Sequence, residues 1–400
     1  MNPSIQPTLH KLTIWMILFA CLSIALPTAF MSIASGLFVI FWLLSGEFKS
    51  KLNTISQNPA GIATLILFGF YIIGVFYSSG PWPNRMNFLM KYDKLLFIPL
   101  IISVMHTEKM RRYGMNAFLI GMLLVLFVSY LESLGLPKVN DFYQQDNVVF
   151  KGRIAHNILM SFAAYLMLHR AWRHIGSTRW VWFSLGLLAI VDVMVLVNGR
   201  TGQVTMLCLI VLFIYDAWGK RALVYLGGTA LLLIALNHIH PFLPHSRLTD
   251  TNAEISQHQN NGTQTSAGER VEMYTNTLSL IKRHPFFGGG TGSLEHEYQD
   301  LTKNMDTQLK RVPNPHNQFL LTTQELGLAG LICLLFFWYS HFKASFSLES
   351  KELSYALRGL VLTLFIGSLF NSLLLDAGEG KFYCVMAGVL LSAYQPRKTK

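Results

Sequence analysis

Residues 313–319 read Pro313-Asn314-Pro315-His316-Asn317-Gln318-Phe319, and His316 carries the side chain best suited to exchanging a proton near neutral pH. A neutral imidazole at this point takes a proton from a hydroxyl; a protonated one steadies a departing anion. A helix N-terminus favours the neutral form and a nearby diphosphate the charged form, so both roles stand. Cations accompany it. Arg85, Lys91 and Lys94 lie in one stretch, Lys151 and Arg153 in a second, and Arg200 in the short connection Asn198-Gly199-Arg200-Thr201-Gly202. Arg270 precedes a polar helix, and Asp376 stands just ahead of Gly378-Glu379-Gly380. Guanidinium groups hold phosphate oxygens through paired, permanently charged donors. The chain has no Gly-rich loop ending in Lys-Ser/Thr and no paired carboxylates of the glycosidase kind. Glu295-His296-Glu297 are adjacent, so on a helix they point in different directions. No metal or cofactor is therefore expected. Any transfer must draw on energy already in its substrate, as a sugar on a polyprenyl diphosphate supplies.

These residues need elements to position them. Asn314 is expected to cap a helix with Pro315 in its first position, which puts His316 and Asn317 in the first turn. The run continues as His-Asn-x9-Gly-x-x-Gly through Gly327 and Gly330. Helical periodicity then sets Gly327 below His316 on one stripe, about three turns deeper. Upstream, Val271, Tyr274, Leu278 and Ile281 recur at helical spacing over 269–284, and Pro285 ends that helix. Gly288–Gly292 reads as a flexible turn, 293–305 as a second short helix, and 249–268 as a mobile polar loop.

The rest of the chain is apolar. Of 400 residues 52% are hydrophobic and 13% charged, a composition that excludes an ordinary soluble domain. About twelve runs are long enough to cross a bilayer, near 12–29, 31–46, 60–79, 92–106, 115–135, 156–172, 179–198, 202–219, 221–240, 317–342, 354–375 and 381–395. They are continuously apolar rather than alternating, which excludes a β-barrel. The expectation is an all-α polytopic membrane protein. Its domains would be a membrane part over 1–240, an outer loop or lid over 241–316, and a second membrane part over 317–400. The N-terminal run reads as an uncleaved first helix.

With the N-terminus inside, the inner loops carry Lys49 and Lys51, Lys109, Arg111 and Arg112, Arg170, Arg173 and Arg179, Lys220 and Arg221, and Lys343 and Lys351. Arg397, Lys398 and Lys400 complete the inner set, and segment 241–316 falls outside. Much of the net charge of +11 is thus a topology signal, and nucleic acid is not an expected partner. Cys21, Cys208, Cys333 and Cys384 all lie in apolar runs without Cys-x-x-Cys spacing, as buried small residues do.

The His-Asn-x9-Gly-x-x-Gly motif and its following span resemble those of the O-antigen ligases, within the family that also holds O-antigen polymerases and O-oligosaccharyltransferases. Arg270 ahead of Pro285-Phe286-Phe287-Gly288, Arg200 in its short connection, and Asp376 in Asn371-Ser372-x3-Asp376-x2-Glu379-Gly380 are similar to the family's other positions. The resemblance implies a GT-C-type membrane glycosyltransferase fold in a bacterial inner membrane. It implies transfer from an undecaprenyl-diphosphate-linked glycan to lipid A–core at the periplasmic face, metal-independent and inverting. His316, Arg200, Arg270 and Asp376 are then the expected catalytic residues, with Arg85, Lys91, Lys94, Arg153 and Asn317 binding substrate. A polymerase is expected to show two large outer loops with Arg-x10-Gly patterns. An O-oligosaccharyltransferase is expected to carry an added C-terminal region. A transporter of a lipid-linked anion is expected to show an internal repeat and charged mid-span residues, for which Asp192 is the candidate.

Overall fold

The computed structural model describes residues 6–139, 148–197, 199–222, 224, 227, 256–257, 265–348 and 350–395. Among them there are 15 α-helices, a 3-10 turn, a π-turn and no strand, apart from an isolated bridge between Leu348 and Tyr394. In chain order the helices are α1 (Gln6–Ser23), α2 (Thr28–Leu44), α3 (Phe48–Ser56), α4 (Pro59–Tyr77), α5 (Trp82–Lys91), α6 (Phe97–Ile102), α7 (Glu108–Ser133), α8 (Arg153–Arg173), α9 (Ser177–Val191) and α10 (Arg200–Trp218). Downstream of residue 265 come α11 (Ser266–Arg283), α12 (Leu294–Thr302), α13 (Gln318–Ser345), α14 (Lys351–Ser368) and α15 (Ala377–Leu391).

Among the described residues, five helices, α4, α7, α9 with its π-turn, α10 and α13, are long and apolar enough to cross a membrane; α2 and α3, bent by 114° at their junction, make a sixth if counted as one span. That is fewer than the twelve apolar runs, for physical reasons. The run at 92–106 is broken into the 3-10 turn Asp93–Leu96 and the six-residue α6, α15 has 15 residues, and α8 carries His156, Asn157, His169 and Arg170 among its apolar side chains. The run at 221–240 and the loop at 249–268 fall almost wholly outside the described residues.

The chain divides into two compact units. The first comprises Met1–Phe70, Met90–Ile210 and Cys333–Lys400. Here α1 packs on α2 and α7, α8 on α9 and α14, and α15 on α6 and α14. Helix α15 is apolar on all sides and buried from Phe382 to Leu391, as a helix at the centre of a bundle must be. Phe118, Phe162 and Phe382, from α7, α8 and α15, stack at 5.5–5.6 Å between ring centroids.

The second unit comprises Tyr71–Leu89 and Val211–Ile332. Its frame is a broken helix. Within α13, Gly327 has φ 64° and ψ −162°, a backbone that interrupts the helical ladder and favours glycine. The freed groups are bonded by the loop after α11. Leu328 and Ala329 donate their N–H groups to the carbonyls of Pro285 and Phe286 at 2.8 and 3.2 Å. In return, Gly289 and Gly290 donate to the carbonyls of Gln324 and Glu325 at 2.9 and 2.7 Å. A Cβ on Gly327 would lie 2.2 Å from the Phe286 carbonyl carbon, and one on Gly288 would lie 2.4 Å from that of Glu325. The two backbones touch directly.

Candidate functional site

In the second unit, the element that presents His316 is a pair of side-chain turns. The His316 N–H donates to Asn314 Oδ1 at 2.9 Å, while Asn317 Oδ1 accepts from Phe319 and Leu320 at 2.9 and 3.0 Å. Asn317 therefore caps α13, which begins at Gln318, and Asn314 closes a turn of its own. This corrects the expectation of a cap at Asn314 with His316 inside the first turn. The left-handed backbone at His316 cannot continue a right-handed helix, so the Asn-Pro pair precedes the helix instead of opening it. His316 itself has φ 53°. A left-handed non-glycine residue costs about 1–3 kcal/mol and persists where its surroundings hold it.

Part of that hold comes from α11. Thr265 caps this helix through the Gly268 N–H at 3.2 Å, which fixes where Arg270 and, one turn on, Tyr274 emerge. The Tyr274 hydroxyl donates to the His316 carbonyl at 3.1 Å and also bonds the Asn317 side chain. Burial pushes the Tyr274 phenol up, while the Arg270 cation beside it and the Asn317 bond pull it down. Arg270, Tyr274, His316 and Asn317 thus form one assembly. Tyr274 had appeared in the sequence as part of an apolar stripe; its i+4 spacing from Arg270 was the signal of a polar role. The side chains buried from α11 are Ala267, Met273, Thr277 and Leu280, while Val271 and Leu278 are exposed.

Two further expectations in this unit take a different form. Gly288–Gly292 is a fixed crossing rather than a flexible turn: besides the pairing with α13, Ser79 donates to Gly289 O at 2.8 Å, Thr291 to Gly74 O at 3.1 Å, and Gly292 to Glu325 Oε1 at 2.9 Å. Arg85 donates to the carbonyls of Gly80 and Val75 at 2.6 and 3.1 Å, where a cation offsets the negative end of α4. Glu297 accepts from Ser79 Oγ and Gln324 Nε2 at 2.6 and 3.1 Å, and Glu295 pairs with Arg311.

In the first unit, Arg153 opens α8, Arg200 opens α10, and Asp376 stands at the cap position of α15 without a side-chain cap bond. Cations at helix N-termini oppose the helix dipole, whereas an anion there is favoured. A cleft of about 570 Å³ is lined by Lys151, Arg153, Asp376, Gly378 and Glu379 together with Thr28 and Phe150. Arg153 also lies against Gly199, where a Cβ would meet its Cγ at 3.4 Å. Lys94, 3% exposed, donates to the carbonyls of Leu375 and Asp376 at 2.8 and 2.7 Å and so holds the turn from which Asp376 emerges. Burial raises Asp376, and the Lys94 and Lys91 charges draw it back down. Glu379, ahead of the apolar stretch 381–395, is pushed up to about 7 by burial and the Asp376 charge. Burial lowers Lys151, whose Nζ has no hydrogen-bond partner.

The first unit also holds a buried polar layer that the sequence reading missed. Asp192 opens the π-turn Asp192–Leu196, takes Ser129 Oγ at 2.5 Å, and pairs with His156 Nε2 at 2.7 Å; Asp192 and His156 are 0% and 3% exposed. Asn157 donates to Val197 O at 2.9 Å, and Asn371 to Thr201 Oγ1 at 3.2 Å. Asp192 is thus paired rather than a lone mid-span charge. Its partner, thirty-six residues away, had no local signal.

Residues 185–335 match the model of the O-antigen ligase family. That match supports a place for the chain in the O-antigen ligase family. The matched stretch runs from the middle of α9 to the middle of α13 and holds Asp192, Arg200, Arg270, His316 and Asn317; it stops short of Asp376. Members of this family are glycosyltransferase-type enzymes, ligases and polymerases, that work on lipid-linked glycans. The chain is also similar to an uncharacterized protein of Haemophilus influenzae, 25% identical over 300 residues that cover 72% of each chain.

Proposed function

We propose that this protein transfers a glycan from undecaprenyl diphosphate to a sugar hydroxyl of lipid A–core. The reaction takes place at the periplasmic face of the inner membrane, inverts the anomeric carbon and uses no metal. The observation that carries the proposal is the Arg270–Tyr274–His316–Asn317 assembly, in which a strained histidine is held by two elements of the family-matched stretch. His316 takes the proton of the acceptor hydroxyl. The oxygen lone pair forms the new bond to the anomeric carbon, the bond from that carbon to the diphosphate oxygen breaks, and the diphosphate leaves as the anion. Arg270, in the same assembly as His316, is the proposed contact for its charge, and Arg200 and Arg153 are proposed as phosphate-binding cations of the first unit. Lys91 and Lys94 add positive charge for substrate in the first unit and Arg85 in the second, Asp376 orients a cation of its own unit, and Asn317 fixes the turn that carries His316.

The test uses purified protein with undecaprenyl-diphosphate-linked glycan and lipid A–core, with and without EDTA, beside His316→Ala. Glycan-bearing lipopolysaccharide from the parent in EDTA, but not from the variant, is the expected result. A base role predicts activity that rises with pH through the imidazole range, whereas leaving-group stabilisation predicts a fall. A lengthened lipid-linked glycan in place of the lipopolysaccharide product would identify a polymerase. Full transfer by His316→Ala would remove the histidine from the chemistry.

A further inference from the structure

At the end of α8 opposite Arg153, the first unit has a second polar cavity. It lies where the last turn of α8 and the first turns of α7 and α14 come together, and its volume is about 200 Å³. Arg112, Arg170 and Arg173 line it against one carboxylate, Glu352, with His169 alongside and Met115 and Leu166 among its apolar residues. Glu352 forms ion pairs at 4.0 Å with Arg170 and 3.8 Å with Arg173 but lies beyond hydrogen-bond reach of both, and Arg112 is held by Glu108 at 2.9 Å, so three guanidinium groups face two carboxylates. Arg170 is oriented rather than spent, since it bonds Asn116 and lies 4.8 Å from the Trp182 ring. The cavity is smaller than the ~300–1,000 Å³ of a site for a drug-sized molecule. Trp172 and Trp180 are 40% and 65% exposed on the adjoining stretch of α8 and α9, and tryptophans of this kind mark the level of lipid headgroups. Charge bias assigns this end of the unit to the cytoplasm.

We infer that the Arg112–Arg170–Arg173 cavity binds the phosphate of an anionic phospholipid headgroup from the inner leaflet. Several guanidinium groups with a surplus of positive charge at headgroup depth suit a phosphodiester, and the apolar residues and flanking tryptophans favour a lipid source over a soluble one. The inference stands apart from the transfer reaction, because none of its residues has a role there.

The experiment uses the full-length protein in nanodiscs of dioleoylphosphatidylcholine titrated with dioleoylphosphatidylglycerol, and reads the thermal midpoint together with retained lipid by native mass spectrometry. The expected result is stabilisation that saturates with phosphatidylglycerol, with apparent affinity falling about fivefold for each arginine removed in Arg112→Gln and Arg173→Gln. The double Lys variant should recover part of the loss. Inorganic phosphate alone gives a second arm: a matching shift, lost in the same variants, would overturn the lipid source and make the ligand a soluble phosphate. Equal stabilisation by phosphatidylcholine, or full phosphatidylglycerol binding by the double Gln variant, would overturn the site. If the double variant is not monodisperse in phosphatidylcholine, the single Arg173→Gln, at a side chain already 40% exposed, gives the same reading.

Discussion

The Tyr274 hydroxyl donates to the backbone carbonyl of His316 at 3.1 Å, so the main chain at the histidine is tied to a helix more than forty positions earlier in the chain. Removing that hydroxyl leaves the ring and its packing in place. Tyr274→Phe should cost about 1 kcal/mol of stability, while glycan transfer falls by about tenfold or more if His316 must be oriented to react. Thermal unfolding and the transfer assay on one preparation would separate the effects; unchanged transfer would show that the bond has no part in positioning.

His316 occupies a backbone region that suits glycine better than histidine. His316→Gly should therefore unfold at the same temperature as the parent or higher, by up to about 1 kcal/mol, with transfer abolished. A markedly less stable His316→Gly would mean that the imidazole is a structural contact in its own right.

Gly327 has the opposite sensitivity. A methyl group there meets the Phe286 backbone at 2.2 Å, and the φ of 64° is itself unfavourable for alanine. Gly327→Ala should destabilise by roughly 3 kcal/mol or more, whereas Gly69→Ala, where a Cβ meets nothing within 4 Å, should be neutral or slightly stabilising. Comparable unfolding temperatures for the two variants would refute the backbone-to-backbone crossing.

The buried pair His156 and Asp192 should behave as a unit. Asp192→Ala leaves an imidazole and the Ser129 hydroxyl without their carboxylate at 0–3% exposure and should cost about 3 kcal/mol or more. In a double-mutant cycle with His156→Ala, the combined loss should be well below the sum. Additive losses would mean that the two side chains stabilise independently.

Glu379 gives a pH dependence. Its carboxyl is raised from 4.5 to about 7 in the folded protein, so the folded state holds a proton that the unfolded state has released. Stability from this group is therefore full below about pH 4.5 and declines as pH rises to about 7, by roughly 3 kcal/mol. Glu379→Gln, which has no proton to lose, should lack this decline and gain on the parent across that window. Parallel pH curves for the two proteins would place the carboxyl in a more solvated setting.

Much of the second unit was legible in the sequence because its signals are local. The helix read over 269–284 is Ser266–Arg283, ended as Pro285 requires, and the one read near 293–305 is Leu294–Thr302. What escaped depends on distant partners. No periodicity shows that Gly327 breaks its helix, because the break is stabilised by carbonyls from Pro285 and Phe286. Nor does apolar spacing distinguish a face buried in protein from one left exposed, and so Val271 and Leu278 looked like core positions. Asn314 and Asn317 are equally good caps in isolation, and only the backbone turn at His316 decides between them. The pairing of His156 with Asp192 required two helices to be brought side by side.

The exchange of backbone hydrogen bonds across Gly288 and Gly327 also bears on the birth of the protein. Neither partner has a complete set of bonds alone, so each serves as the mould for the other. The ribosome delivers them in a workable order: segment 285–290 emerges first, and the helix that must break against it follows thirty-odd residues later. A circular permutant that began at residue 300 would reverse that order, sending the unbroken helix into the bilayer before its mould existed.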